Sequence, residues 1–270
     1  MRRFLLALCI AAAASPVFGQ VSLEACANPN LEAGDTIRFC QQALQDRDLR
    51  PNNRARVLTN LGVGLAEMGR HSEAIVNFGL ASTTDPKLIA AYTYRARSNE
   101  ALGNIQDALD DFAAALEAAP QDPEVWAARG AMLMRQRRLP EAEQDLTRAL
   151  ELDRDNLSAR YNRGLARLSL GDAAAAEEDL DWLLSVRGDD VGALVNRGQA
   201  RALQEKTTAL EDFDRAITIA PDWGPAYYTR GRYHDWAGRK ADADADYLRA
   251  FELGVSNPFL IERVRQISGN

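Results

Sequence analysis

Six small residues, Gly62, Ala96, Gly130, Gly164, Gly198 and Gly231, recur at steps of 34, 34, 34, 34 and 33 residues. A fixed period in this range constrains a fold strongly. Each period is one supersecondary unit, and its apolar face is buried only by stacking on its neighbours. Three further columns keep the same register. One is alanine throughout: Ala74, Ala108, Ala142, Ala176, Ala209 and Ala243. The next is large and apolar: Phe78, Phe112, Leu146, Leu180, Phe213 and Tyr247. The last is Ala81, Ala115, Ala149, Leu183, Ala216 and Ala250.

The columns have a physical logic. Gly or Ala in the first column and Ala in the second let two antiparallel helices approach closely, and the bulky third column fills the space between them. Gly69, Gly103, Gly171 and Gly238 fall where the two helices of a unit join, a place that favours positive φ. Pro86, Pro120 and Pro221 end the second helix in three units.

This pattern resembles the tetratricopeptide repeat, a helix-turn-helix of 34 residues. The resemblance implies an all-α fold, an α-solenoid whose antiparallel helix-turn-helix units stack into a right-handed superhelix. Six units are read, at 55–88, 89–122, 123–156, 157–190, 191–223 and 224–257, over about three-quarters of the chain. The fourth departs at Leu183 and at Arg187-Gly188, where local irregularity is expected. The fifth loses one residue near Gln204-Glu205-Lys206 and has no turn glycine, and the third has Arg137 at that place. Pro258 restarts a helix over 258–270, with Leu260, Val264 and Ile267 on one stripe, as the cap a solenoid end requires.

The first residues read as a leader. Arg2 and Arg3 precede an apolar run from Phe4 to about Ala14, and small residues follow to Gly19. This is the pattern of a secretory signal peptide over 1–19, cleaved after Gly19. The run is short for a membrane span, so no membrane insertion is expected after its removal. Cys26 and Cys40 then remain as an even pair in an exported chain, and a disulfide is expected between them. Lipidation at Cys26 would strand Cys40 and is the weaker reading. Residues 20–54 form an N-terminal cap, with Asp35 as N-cap of a helix from about Thr36 to Gln45 and a break at Pro51-Asn52-Asn53. The expected setting is periplasmic or secreted.

The formal charge is −7, and loss of the two leader arginines takes it to −9. An acidic balance argues against nucleic-acid binding and against adhesion to anionic lipid. Catalytic and metal constellations are sparse. The only histidines are His71, read as solvated, and His234, read as a packing residue. No phosphate loop, nucleophile elbow or metal-ligand spacing occurs. No enzymatic activity and no cofactor are expected.

Two polar columns run with the repeat. Arg95, Arg129, Arg163, Arg197 and Arg230 precede the small column, and Asp111, Asp145, Asp179, Asp212 and Asp246 precede the bulky one. In the first unit both are replaced together, by Leu61 and Asn77. That joint absence points to one ion pair inside each unit rather than an anion-binding ladder. On this reading Arg163→Ala lowers the melting temperature, and adding Asp179→Asn costs little more.

Constant columns hold the fold and varying columns can carry specificity. The resemblance implies that the first helix of each unit lines a concave groove. The varying positions there give an apolar centre of Met134, Tyr161, Leu165, Leu168, Val195 and Tyr228, with Gln199 beside it and Arg97 and Arg232 as polar flanks; the alternative is that the stripe of Tyr161, Leu165 and Leu168 is core. The Lys- and Asn-rich clamp of chaperone-binding members is absent. The expected function is a periplasmic scaffold or adaptor that binds a partner peptide or helix in this groove. The alternative is a structural or assembly subunit of a cell-envelope complex, using convex or end surfaces.

Overall fold

In the computed structural model, residues 23–269 are described, and the expected leader lies outside them. Every regular element among these residues is helical. A helical turn, α1, covers 23–26, and α2 runs Ala33–Ala43. Six helix pairs follow. They are α3 (Pro51–Glu67) with α4 (His71–Thr84), α5 (Ile89–Ala101) with α6 (Ile105–Ala118), and α7 (Pro123–Arg135) with α8 (Leu139–Leu152). Next come α9 (Leu157–Leu170) with α10 (Ala173–Val186), α11 (Val191–Leu203) with α12 (Ala209–Ile219), and α13 (Gly224–Trp236) with α14 (Lys240–Glu252). The last helix is α15 (Pro258–Ser268). No helix among the described residues is long and apolar enough to cross a membrane.

The helices fall into two compact units, one ending at Pro120 and one beginning at Gln121. Within each, a helix packs on its pair partner and on the next helix along the chain. The first unit holds α1 to α6 and the second holds α7 to α15.

The core is built from the repeat columns. All six residues of the alanine column, all six of the bulky column and all six of the fourth column are buried. The first column shows why it is small. A methyl on Gly198 would stand 2.6 Å from the Phe213 ring, one on Gly62 would stand 2.5 Å from Phe78, and one on Gly130 would stand 2.7 Å from Leu146. Helix backbones can approach only if that methyl is missing or the facing ring is displaced.

The N-terminal cap departs from the sequence reading at its boundaries. Pro51 does not break the chain; it sits in the first turn of α3, where its missing N–H costs nothing. The first pair therefore starts four residues before the expected 55. The N-cap of α2 is Glu32, and Asp35 lies inside the first turn. The expected disulfide joins Cys26 to Cys40. Both cysteines are buried, against Val57, Leu61 and Leu65 of α3, so the bridge fastens the first segment to the inner face of α2.

The fourth pair is regular, contrary to expectation: α9 and α10 have 14 residues each, and Leu183 packs into the core beside Leu184. The irregularity lies in the fifth pair, where α12 has only 11 residues. At the turns Gly69, Gly103, Gly171 and Gly238 have φ between 73° and 89°, and Arg137 and Glu205 adopt the same left-handed conformation at φ 60° and 57°. Three first helices also share a cap not evident from the core columns. Asp122, Asn156 and Asp190 accept a backbone N–H at the starts of α7, α9 and α11.

Candidate binding cleft

The Arg and Asp columns meet inside each pair, as expected. Arg129 donates through Nε and Nη2 to the two oxygens of Asp145 at 2.7 and 2.8 Å. Arg163 does the same to Asp179 at 2.9 and 2.7 Å, and Arg230 to Asp246 at 2.8 and 2.7 Å. Arg95 grips Asp111 and Arg197 grips Asp212. The carboxylates are almost fully buried and the guanidinium groups only partly exposed.

Two further layers were not read from the sequence. Four residues after the arginine, a second donor reaches the same carboxylate. Asn99 bonds Asp111 at 3.0 Å, Arg167 bonds Asp179 at 3.0 Å and Arg201 bonds Asp212 at 2.9 Å. His234 holds that place in the last pair, with Nε2 3.9 Å from Asp246 and the residue 7% exposed. The other arginine nitrogen, Nη1, reaches back to the preceding pair. Arg163 bonds Thr147 at 3.3 Å, Arg197 bonds Asp181 at 2.6 Å and Arg230 bonds Asp214 at 2.6 Å. These arginines are consumed by structure. The ladder is a set of braces within and between pairs, leaving no array of open cations. His71 is half-buried rather than solvated.

A cleft of about 630 Å³ opens in the second unit along the first helices of the pairs. Met134 of α7, Leu165 and Leu168 of α9, Gln199 of α11 and Arg232 of α13 all line it. Five of the predicted groove residues are thus brought together. Ser169, Asn196, Ala202, Leu203, Thr229 and Trp236 join them, outside the predicted set. The signal that locates Ser169, Asn196 and Leu203 is the helical spacing of 162, 165 and 169 in the fourth repeat and its equivalents, 196, 199 and 203, in the fifth. The sequence reading instead followed 161, 165 and 168.

The remaining predicted residues stand elsewhere. Val195 is 4% exposed and belongs to the core. Tyr161 packs against that core, with its hydroxyl accepting from Asn196 Nδ2 at 3.1 Å. Burial, with Asp190 nearby, raises the Tyr161 pKa. Tyr228 packs with Tyr247 and Phe259 under the C-terminal helix. Arg97 belongs to the first unit, where its guanidinium lies 6.0 Å from the Tyr94 ring.

Trp236 is 60% exposed and Leu203 64% exposed, so the cleft keeps two large apolar side chains in contact with water. Trp236 is nevertheless held in place. Its ring lies 5.9 Å from Tyr233, which lies 5.8 Å from the buried Phe213. An aromatic chain rooted in the core thus presents one indole to solvent, a geometry suited to anchoring an apolar side chain of a partner. Among the described residues no group of His, Cys, Asp and Glu is placed to hold a metal ion.

Comparison with known proteins agrees with this architecture. Residues 95–159 and 161–223 match the tetratricopeptide repeat family. No curated protein matches. Among solved structures, a tetratricopeptide repeat protein from Parabacteroides merdae aligns over 94% of this chain and 98% of its own, at TM-score 0.67 and 22% identity. The pilF protein of Pseudomonas aeruginosa aligns over 81% of this chain and 98% of its own, at TM-score 0.67 and 18% identity. YrrB, described as a TPR protein with an unusual peptide-binding site, aligns over 71% and 97%, at TM-score 0.58 and 22% identity. Identities at this level speak to the fold alone. Taken with the six co-registered columns and the helix pairs they build, the match shows that this chain carries tetratricopeptide repeats, at residues 95–159 and 161–223.

Proposed function

We propose that the protein is a protein-interaction scaffold that binds a segment of a partner, as a peptide or helix, in the cleft of its second unit. The observation that carries this reading is the cleft itself. Its apolar side chains converge from four successive first helices, and the exposed Trp236 and Leu203 are left without a cover. Apolar residues concentrated in a concave site supply affinity, and the few polar groups there set register. The peptide-binding site named for YrrB belongs to a protein of the same fold and supports the reading at that level only.

The setting we propose is extracytoplasmic, periplasmic or secreted, with the leader removed after Gly19. The Cys26–Cys40 disulfide supports it, since such bonds persist mainly in oxidising compartments. An intact mass of the protein isolated from its native cells that still includes residues 1–19 would refute the cleavage.

The binding reading is tested with a photoreactive residue in place of Ser169, an exposed position lining the cleft, and another in place of Val76 on α4. Crosslinking in cells is expected from position 169 and to be lost when Leu168→Glu is added. Capture from position 76 alone would instead favour an assembly subunit that uses its outer surface.

A further inference from the structure

The cleft differs in character across its width, and this deepens the reading just proposed. Residues one repeat apart form rows that cross the first helices. Ser169, Leu203 and Trp236 make a row near the turns, with Met134, Leu168 and Ala202 one residue away in register. Leu165, Gln199 and Arg232 make the middle row, and Asn196 and Thr229 the row nearest the helix starts. From Asn196 to Leu203 is seven residues, or about 10 Å at 1.5 Å per residue, the width of one helix. One edge is therefore mainly apolar, and the other carries carboxamides and a cation.

That cation is unusual here. On the same helices Arg129, Arg163, Arg167, Arg197, Arg201 and Arg230 are each tied to a carboxylate. Arg232 is exposed and makes no ion pair or hydrogen bond among the described residues, and neither does its row neighbour Gln199. Asn196 uses its Nδ2 on Tyr161 and Gly192, which leaves its carbonyl oxygen as an acceptor. At the opposite rim, past Leu203, stands Glu205. A carboxylate entering the cleft is thus attracted to the middle row and repelled at the turn side.

The geometry points to an amphipathic, acidic segment as the occupant, lying across α9, α11 and α13. Its apolar edge meets Leu168, Leu203 and Trp236, and its carboxylates meet Arg232. This rests on the cleft being the binding site and adds the chemistry and direction of what it holds.

The test is an array of immobilised 14-residue amphipathic peptides, with Leu or Phe at every third or fourth position and the rest filled with Glu, Gln or Lys. It is probed with the full-length protein. The Glu series is expected to be retained about fivefold better than the Lys series at low salt, with the gap closing as salt is added. Arg232→Gln should erase the charge preference and Arg232→Glu reverse it, both with unchanged helicity, because the side chain makes no hydrogen bond or ion pair among the described residues. Retention that ignores charge, stronger retention of the Lys series, or no retention of any series overturns the proposal. Retention of the same peptides by Leu168→Glu would sink the cleft reading itself, a separate outcome. If light scattering shows a dimer that Leu168→Glu dissociates, the occupant is a second copy and the acidic-segment proposal falls.

Discussion

Asp179 shows how much one residue holds. Its two oxygens take Arg163 and Arg167, with Arg160 a further 3.6 Å away, and its side chain is only 2% exposed. The expectation that Arg163→Ala makes Asp179→Asn nearly silent is therefore revised, because Arg167 still needs that carboxylate. Removing one half of a buried pair costs on the order of 3–5 kcal/mol, since it strands a desolvated charge. Asp179→Asn should sit at the upper end and Asp145→Asn, with Arg129 as its recorded donor, at the lower. Urea denaturation of both variants measures the difference. The simpler Arg129 and Asp145 pair is the right one for a double-mutant cycle, and a coupling below about 0.5 kcal/mol would show that it contributes nothing to stability. A steric counterpart is Gly198→Ala. Its methyl would press on the Phe213 ring, which is the root of the aromatic chain to Trp236. A loss of about 1–3 kcal/mol is expected, with a shift in tryptophan emission.

At the scale of elements, the turn between paired helices demands a left-handed residue, and Arg137 and Glu205 meet that demand without being glycine. A left-handed conformation costs a residue with a side chain roughly 1–2 kcal/mol. Arg137→Gly should therefore raise the melting temperature, and a fall would mean that the arginine side chain contributes more than its backbone costs. Glu177 of α10 receives three donors from the end of α11 and the irregular turn that follows it. Burial opposes the charge on that carboxylate, but donors Lys206, Arg201 and Gln204 outweigh it and hold its pKa below the usual range. A depressed carboxylate stabilises the fold above its unfolded pKa and loses that contribution as pH falls through the folded value. Wild-type stability should thus drop on acidification below about pH 4.5, and Glu177→Gln should flatten that part of the profile by losing stability at neutral pH. The helix pairs and the interhelix ion pairs were legible in the sequence because each rests on identities repeated in register, and the disulfide because two cysteines remain once the expected leader is set aside. The cleft was half legible. Its residues vary from repeat to repeat by nature, so only helical phase could locate them, and a phase error of one residue put Tyr161 and Val195 on the wrong side of α9 and α11. The regularity of α10 was hidden for a different reason. Leu183 looked too large for an alanine column, but a neighbouring core can absorb one bulky side chain.

The whole molecule divides its spectroscopic signals as it divides its contacts. All four tryptophans, Trp126, Trp182, Trp223 and Trp236, lie after Gln121, in the second compact unit, whereas the disulfide lies in the first. Reduction should remove about 3 kcal/mol by the chain-entropy estimate for a loop of this size. It should shift the far-ultraviolet circular dichroism transition while leaving the tryptophan emission transition in place. The backward reach of the arginines carries a consequence for length. Arg167 meets Glu143 and Arg163 meets Thr147, while one repeat later Arg201 meets Glu177 and Arg197 meets Asp181. Excising residues 157–190 would set Arg201 over Glu143 and Arg197 over Thr147, contacts of a kind the protein already makes. Repeat number is therefore a dial that whole-unit gain or loss can turn without inventing an interface, so the reach of the cleft can change in ancestry while its chemistry stays put.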